Sequence, residues 1–302
     1  IDIGSVAIKL ALLDGDALID KSYLRNQGII GTLQQGLKRL QKVKIDGVGV
    51  TGSGKSLAKV LVGGDYEDSE IMSHVIATLA QYPDVKTILD IGGEDSKLML
   101  IRNRVLSDFQ MNSSCGGGTG SMIETISSRL GVRIEDVGSI ALKSKNPATL
   151  AGKCGIFCMS DAVSHLSKGR PVEDILLGVC KALVGNYLAT LAKGKKLQPP
   201  IIFQGATALN TALVKCFEEE LGHPIFVPEN CSYMGAIGIG ILAEENMNGR
   251  HTSFRGDVIL DSNYRTEISH CEDCENNCEL LNLYHGDELL SVSGSRCGKN
   301  NR

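Results

Sequence analysis

The residues best suited to chemistry lie in Asn112–Gly120, which reads Asn-Ser-Ser-Cys-Gly-Gly-Gly-Thr-Gly and places one thiol, Cys115, in a glycine-rich loop. Apolar residues recur at helical spacing over 121–130, and Gly131 follows, so a helix is predicted directly after the loop. A thiol near a helix N-terminus is favoured as a thiolate, or as a ligand of an anionic metal cluster, because N–H groups and the helix dipole point at it. The alternative is a buried cysteine beside a glycine turn.

A second group of candidates comes from a pattern that occurs twice. Ile1–Leu13 and Leu89–Ile101 each read as strand, glycine turn and strand, at an offset of 88 residues. In each copy an aspartate is followed by a glycine and then by a lysine on the second strand. The two sets are Asp2, Gly4, Lys9 and Asp90, Gly92, Lys97.

Turns of this kind can bind phosphate, and their aspartates can bind a metal ion. Backbone N–H groups at the turn hold phosphate oxygens, and the carboxylate holds Mg²⁺ through water. Two such turns across a cleft would hold a polyphosphate from both sides. The phosphate-binding candidates are Gly4, Ser5, Gly92 and Gly93, with Lys9 and Lys97 as weaker ones because a strand lysine is often simply solvated. Glu94 or Asp95 could position the attacking water, and the sequence does not decide between them.

A rival phosphate site lies between the two copies. Residues 49–56 fit the Gly-x-x-x-x-Gly-Lys-Ser pattern of a phosphate loop, with a predicted strand before them and a helix after them. Lys55 would then contact the phosphates. Against this interpretation, no apolar strand ending in aspartate is placed to supply the usual metal partner, and the paired aspartate turns would have no role.

The remaining cysteines fall into three groups. Cys154 and Cys158 are four residues apart at the start of a predicted helix, a spacing that allows a shared metal or a single exposed thiol. Three others, Cys180, Cys216 and Cys231, have apolar neighbours and are expected to pack in the core. The last four have the spacing of a four-thiolate zinc or iron–sulfur site, although a linker with solvated thiols is the alternative. They are Cys271, Cys274, Cys278 and Cys297.

Composition limits the function classes. The chain has 302 residues, enough for one large domain or two ordinary ones, and a net charge of −4, which argues against broad nucleic-acid binding. There is no signal peptide and no apolar run long enough to cross a membrane. Ten cysteines without a secretory signal indicate a reducing cytoplasm. Because the chain starts at Ile1 within a predicted strand, we expect it to be part of a longer polypeptide.

Strand and helix patterns along the chain predict an α/β protein. A cysteine-rich tail or linker is expected over 247–302, where the composition becomes polar. Helices are predicted over 70–81, 172–191 and 211–221, and Asn210 is expected to cap the last of these.

Together, these motifs resemble the ATP-dependent activators of 2-hydroxyacyl-CoA dehydratases and of benzoyl-CoA reductase. The resemblance covers about residues 1–245 and rests on the two aspartate turns and on the cysteine loop of 112–120. It implies the duplicated ribonuclease-H-like fold of actin, acetate kinase and heat-shock chaperones, with the nucleotide in the interlobe cleft. The first lobe is then expected over residues 1–88 and 234–246 and the second over 89–233. It also implies that Gly52–Lys55 matches a turn of the family that is not a phosphate loop.

The resemblance assigns further residues. It implies that Gly205, Ala206 and Asn210 contact the nucleoside, although only Gly205 keeps the family's glycine there. It implies that a homodimer shares one [4Fe-4S] cluster, with Cys115 and Cys154 as the two ligands from each chain, while Cys158 stands where alanine is common.

The function implied is ATP-dependent electron transfer. A low-potential donor such as ferredoxin or flavodoxin would reduce the cluster. One electron would then pass to a dehydratase or reductase partner, which a longer form of the chain could itself contain. The alternatives are a small-molecule or carbohydrate kinase of the same fold without a cluster, and a non-catalytic nucleotide-sensing module.

Overall fold

The structure is a computed structural model that describes residues 1–112, 118–256, 258–261 and 263–301. The chain divides into two compact units, of which the first contains Ile1–Ala77 with Gly235–Arg302 and the second Thr78–Met234. The lobe boundaries drawn from the sequence stay predictions. No helix within the described ranges is both long and apolar enough to cross a membrane.

The first unit begins with an antiparallel three-stranded sheet in the order β1-β2-β3. A parallel bridge between Asp2 and Thr51 leads from β1 to β4, which pairs in parallel with β5. The ranges are β1 Asp2–Ile3, β2 Ala7–Asp14, β3 Ala17–Arg25, β4 Gly49–Val50 and β5 Tyr66–Glu67.

The second unit repeats this arrangement. Its five-stranded sheet has the order β10-β9-β6-β7-β8, with β6, β7 and β8 antiparallel and β9 and β10 parallel to β6. The ranges are β6 Thr87–Ile91, β7 Ser96–Arg102, β8 Val105–Met111, β9 Ile201–Gln204 and β10 Ile225–Phe226. The same strand order in both units confirms the duplicated ribonuclease-H-like fold that the family resemblance implies.

The repeat extends to residue register. Asp2 pairs with Lys9 in the first unit, and Asp90 pairs with Lys97 in the second. A bulge shifts the next strand pair between Leu12 and Leu13 and, at the equivalent position, between Leu100 and Ile101. A bulge kept at the same place bends both hairpins alike, so the two aspartates end equivalent strands with the same local geometry.

Ten α-helices cover the sheets and connect them in the described part of the chain. They are α1 Ile29–Arg39, α2 Lys55–Val62, α3 Glu70–Gln81, α4 Gly120–Arg129, α5 Val137–Ala141, α6 Gly155–Ser167, α7 Val172–Thr190, α8 Thr211–Leu221, α9 Met234–Met247 and α10 Val258–Asp261. The predicted helices at 70–81 and 211–221 have these bounds, and the one at 172–191 ends one residue earlier. Asn210 caps α8 as predicted, since its Oδ1 accepts from the N–H groups of Ala212 and Leu213.

Each unit has its own apolar core. In the second unit α7 lies at the centre, and Tyr187 meets Phe217 edge to face with ring centroids 5.4 Å apart. In the first unit Ile3, Ile8 and Leu10 pack against the buried faces of α1 and α2. These cores fix the strand ends that carry the two aspartates.

The polar tail contains a third sheet, which belongs to the first unit. Its strands are antiparallel in the order β11-β12-β13, with ranges Tyr264–His270, Glu279–His285 and Glu288–Ser293. Leu283 of β12 and Ile259 of α10 are buried in the same core as Ile3 and Leu33. The tail therefore shares the core of the first unit.

Candidate nucleotide site

The first aspartate turn is held by the pairing of β1 with β2. Asp2 is 5% exposed, and Lys9 Nζ donates to its Oδ2 at 3.1 Å. The turn closes where the N–H of Gly4 donates to Ala7 O at 3.1 Å. Ser5, at the tip, is exposed. The carboxylate is thus fixed at the end of β1, while the tip of the turn is at the surface.

The charge of this carboxylate is set by competing effects. Burial acts to raise the pKa of Asp2, but the positive charge of Lys9 and then that of His74 outweigh burial, so the pKa is lowered. Asp2 is therefore ionised at neutral pH, as a carboxylate that holds a divalent cation must be.

The second aspartate turn has the same residue types but is more deeply buried. Lys97 Nζ lies 3.4 Å from Asp90 Oδ2, and both side chains are almost fully buried. The N–H of Gly92 donates to Asp95 O at 2.8 Å and closes the turn. Tyr187 donates its hydroxyl to Lys97 O at 2.6 Å, which anchors this strand to α7.

Each aspartate also lies against a second glycine turn, which was not recognised as a repeat in the sequence. Gly52 and Gly205 have φ values of 90° and 86°. A Cβ on Gly52 would lie 2.4 Å from Ile3 O, and one on Gly205 would lie 2.3 Å from Ile91 O. Both positions therefore require glycine for conformation and for space.

The turn that fits a phosphate-loop pattern is used for packing. The N–H of Gly54 donates to Ile3 O at 3.2 Å, and Ser53 Oγ donates to the same oxygen at 3.2 Å. Lys55 Nζ donates to Asp68 O at 3.2 Å. Each of these donors thus has a partner within the protein, and the choice between the two phosphate sites stays a prediction.

The remaining predicted nucleotide residues lie near the second turn. Glu94 is exposed and Asp95 half-buried, so both can reach solvent. Ala206 is half-buried after β9, next to Gly205. Asn210 uses its Oδ1 for the α8 cap, at 3.0 Å and 3.3 Å from its two donors. Nucleoside contact by Gly205, Ala206 and Asn210 stays a prediction.

The helix after the cysteine loop is hydrogen-bonded to the second turn. At the start of α4, the N–H groups of Gly120 and Ser121 donate to Gly92 O at 2.9 Å and to Gly93 O at 2.8 Å. Ser121 Oγ also donates to Gly93 O, at 2.6 Å. Cys115 itself lies outside the described residues. The helix that follows it in the chain is thus tied directly to the second aspartate turn.

The two cysteines at the start of α6 have opposite environments. Cys154 is the N-cap residue of this 13-residue helix and is half-buried. Cys158 is fully buried in the core of the second unit, where burial raises the pKa of its thiol to about 11. A thiol with so high a pKa is a poor ligand at neutral pH. Of this pair, Cys154 is the more accessible thiol, and its role as a metal ligand stays a prediction.

An apolar surface lies directly beyond Cys154. Ile156 is 70% exposed and Phe157 is 65% exposed, and Val163 and Leu166 further along α6 are also exposed. A cluster of large exposed apolar side chains is typical of a surface that another protein covers.

The tail cysteines lie around one end of the third sheet. Cys271 and Cys278 are buried, whereas Cys274 and Cys297 are exposed. Over the described ranges, no three cysteine, histidine, aspartate or glutamate side chains are gathered closely enough to hold a metal ion. A tail metal site thus stays a prediction, and binding would require the two exposed thiols to turn inward.

The chain is similar to proteins of known activity. Residues 1–243 match the BadF/BadG/BcrA/BcrD ATPase family. The chain is 30% identical to the 2-hydroxyisocaproyl-CoA dehydratase activator of Clostridioides difficile, over 80% of this chain and 93% of that one. It is 28% identical to the (R)-2-hydroxyglutaryl-CoA dehydratase activating ATPase of Acidaminococcus fermentans, over 80% and 95%.

A solved structure gives the same result. The activator of the 2-hydroxyisocaproyl-CoA dehydratase from Clostridium difficile, with bound ADPNP, superposes with a TM-score of 0.75 at 27% identity, covering 82% of this chain and 94% of that one. The family match over residues 1–243 covers both aspartate turns. This chain belongs to the BadF/BadG/BcrA/BcrD ATPase family and is an ATPase.

Proposed function

We propose that the chain is an ATP-dependent one-electron donor that activates a partner resembling 2-hydroxyacyl-CoA dehydratase or benzoyl-CoA reductase. Named relatives support this choice of partner, because they include an activator of lactoyl-CoA dehydratase and a component of a benzoyl-CoA reductase. The partner could belong to a longer form of the same chain. A reduced ferredoxin or flavodoxin would supply the electron in the cytoplasm.

The two aspartate turns bind Mg-ATP in this proposal. Asp2, ionised through its lowered pKa, and Asp90 would supply the carboxylates for the magnesium ion, which would neutralise phosphate charge. The N–H groups of Gly4 and Gly92 already close their own turns, so phosphate contact falls mainly to the tips at Ser5 and Gly93. Glu94 or Asp95 orients the water that attacks the γ-phosphate, and the products are ADP and phosphate.

The electron-carrying group is a [4Fe-4S] cluster bound by Cys115 and Cys154 from each of two chains. When bound, such a cluster accepts and releases one electron at a time. Cys154 suits this role because a helix N-terminus stabilises the negative charge of a thiolate–iron cluster. Four thiolates are needed and each chain offers two, which implies a symmetric homodimer.

The observation that carries the proposal is the contrast between Cys154 and Cys158. The first is a half-buried helix cap beside the exposed Ile156 and Phe157, and the second is a core residue. That apolar surface is suited to pairing with its own copy on a two-fold axis. Because α4 is hydrogen-bonded to Gly92 and Gly93, a shift of this turn on nucleotide binding would move the helix that follows the cysteine loop.

The test is anaerobic purification with iron, sulfide and size analysis. We expect a brown dimer with about four irons per two chains. Cys154→Ser should abolish the iron and weaken the dimer, whereas the matched control Cys158→Ala should keep both. A colourless ATPase without iron would favour a kinase of this fold, and a monomer with a complete cluster would exclude sharing between chains.

A further inference from the structure

The four cysteines of the tail lie at the same end of the third sheet. β11 ends at His270, next to Cys271, and β12 begins at Glu279, next to Cys278. His270 and Glu279 pair across the hairpin, and the N–H of Cys271 donates to Cys278 O at 2.8 Å. The two buried thiols therefore open and close one loop, with Cys274 inside it.

The fourth cysteine is brought to this end by β13. Ser293, the last residue of β13, pairs with Leu281 near the start of β12. Gly294 then crosses close to β12, because a Cβ there would lie 2.4 Å from Glu279 O. Its φ of 104° turns the chain over the end of the sheet. Cys297 follows three residues later, beyond the same strand ends.

Hydrogen bonds join the two loops that carry these thiols. Asn300 Nδ2 donates to Cys271 Sγ at 3.1 Å and to Asp273 Oδ2 at 2.8 Å. Ser295 Oγ lies 3.4 Å from Cys297 Sγ. An amide donor to a cysteine sulfur is typical of the residues that surround a bound metal and orient its ligands.

This end of the sheet buries few apolar side chains. Apart from Cys271 and Cys278, its buried cluster contains only Leu280 and Val292 among the described residues. The described cysteines form no disulfide. Small sheets with so few apolar contacts commonly depend on a bound metal ion for stability.

From this arrangement we infer that Cys271, Cys274, Cys278 and Cys297 bind a single zinc ion. A closed tetrahedral site of four thiolates is the usual form of structural zinc. The exposed Cys274 and Cys297 turn inward on binding, and Cys271 and Cys278 already lie at the sheet. The site lies beyond residues 1–243, the part matched by the ATPase family, so it is separate from the proposed iron–sulfur cluster.

The zinc ion would also stabilise the first unit. Leu283 is buried in the core of the first unit, and Leu290 of β13 packs against that core from the same sheet. Gln34 of α1 donates its Nε2 to Ile259 O at 2.8 Å. A zinc ion that binds only the folded chain would thus raise the unfolding temperature of this unit.

The experiment uses the full chain with Cys115→Ser and Cys154→Ser, so that failure of the cluster proposal does not affect it. The chain is kept reduced, supplied with Zn²⁺ alone and analysed for metal; we expect about one zinc per chain. Exchange with Co²⁺ should give the thiolate charge-transfer and ligand-field bands of a tetrahedral site. Chelation should lower Tm.

A double variant and a control test whether the exposed thiols bind the zinc ion. Cys274→Ser with Cys297→Ser alters only exposed thiols, so the fold should persist, while zinc affinity falls by more than the roughly 10–100-fold seen for changes around a metal site. Chelation should then leave Tm unchanged. Asn276→Ser, in the same loop, is the matched control and should keep the zinc. Zinc retained by the double variant, no zinc in the parent, or iron with sulfide in its place would each overturn the inference.

Discussion

The two aspartate hairpins have the same strand order, register and bulge, yet they differ in what surrounds them. Lys9 is 19% exposed beside Asp2, whereas Lys97 is 4% exposed beside Asp90. In the first unit the residues between the third strand and the following helix are 26–28, and in the second they are 112–119. The second copy thus carries an insertion at this point, and that insertion contains Cys115.

The two hairpins are held in the same way but are followed by different segments. In both units an asparagine follows the third strand and holds the hairpin, since Asn26 Nδ2 donates to Gly4 O at 3.0 Å and Asn112 Nδ2 donates to Glu94 O at 3.2 Å. In the second unit the inserted loop then leads into α4, which donates to Gly92 and Gly93. In this copy the helix that follows the cysteine segment is therefore hydrogen-bonded to the turn proposed to contact phosphate.

The largest effect should come from removing either carboxylate. Asp2→Ala and Asp90→Ala should each lower kcat/KM for Mg-ATP hydrolysis by at least about 10³-fold, because a metal ion contributes several kcal/mol at a phosphoryl centre. Lys55→Ala, in the phosphate-loop pattern, should stay within about twofold since its ammonium contacts Asp68 O. If Lys55→Ala abolished hydrolysis and Asp90→Ala did not, the phosphate-loop interpretation would be correct.

Replacing the paired lysine should lower the free energy of unfolding more in the second hairpin than in the first. Lys97→Met leaves Asp90 as a buried charge without its ion pair, at a cost of about 3 kcal/mol or more in the free energy of unfolding. Lys9→Met should cost about 1 kcal/mol, because Asp2 is closer to solvent and keeps His74 nearby. Urea unfolding of both variants measures the difference, and equal losses would show that burial does not distinguish the pairs.

The glycine turns should behave alike in both units. Gly52→Ala and Gly205→Ala force a Cβ against a backbone carbonyl, so each should cost about 2 kcal/mol and raise the KM for ATP. Gly222→Ala is the matched control, since φ is 67° there and no atom lies within 4 Å of the added Cβ among the described residues; about 1 kcal/mol is expected. A Gly205→Ala variant no less stable than Gly222→Ala would contradict the close approach.

The smallest effect is expected where the start of α4 is hydrogen-bonded to the second aspartate turn. Ser121→Ala removes the hydroxyl hydrogen bond to Gly93 O, worth about 1 kcal/mol or roughly fivefold. That loss should appear in the ATP-dependent rate of iron release from the cluster to a chelator, with the KM for ATP nearly unchanged. Ser128→Ala, at an exposed position of the same helix, is the control. A change in KM alone would assign Ser121 to nucleotide binding only.

Sequence patterns predicted the hairpins well because both copies keep the same residue types at the same spacing. They did not reveal that Gly52 and Gly205 are equivalent, since Thr-Gly-Ser-Gly and Gln-Gly-Ala-Thr differ apart from the glycine that the close approach requires. The fit of residues 49–56 to a phosphate loop also obscured the relationship.

The tail was harder to predict. All of β11 is exposed except the half-buried Tyr264, so no alternation of apolar and polar residues marks it as a strand. Its docking depends on Leu283 and Ile259, which share a core with buried residues of the segment 3–62. Long-range packing of this kind leaves no local signal in a single sequence.

Burial of the core cysteines gives the second unit an internal reporter of its opening. Cys158, Cys180, Cys216 and Cys231 are all buried there, and burial raises the pKa of each thiol. At neutral pH an alkylating reagent would react with these four thiols only when the unit opens. Peptide mapping of the slowly alkylated cysteines, with and without nucleotide, would separate these four from the buried Cys271 and Cys278 of the tail and so measure how often the second unit opens.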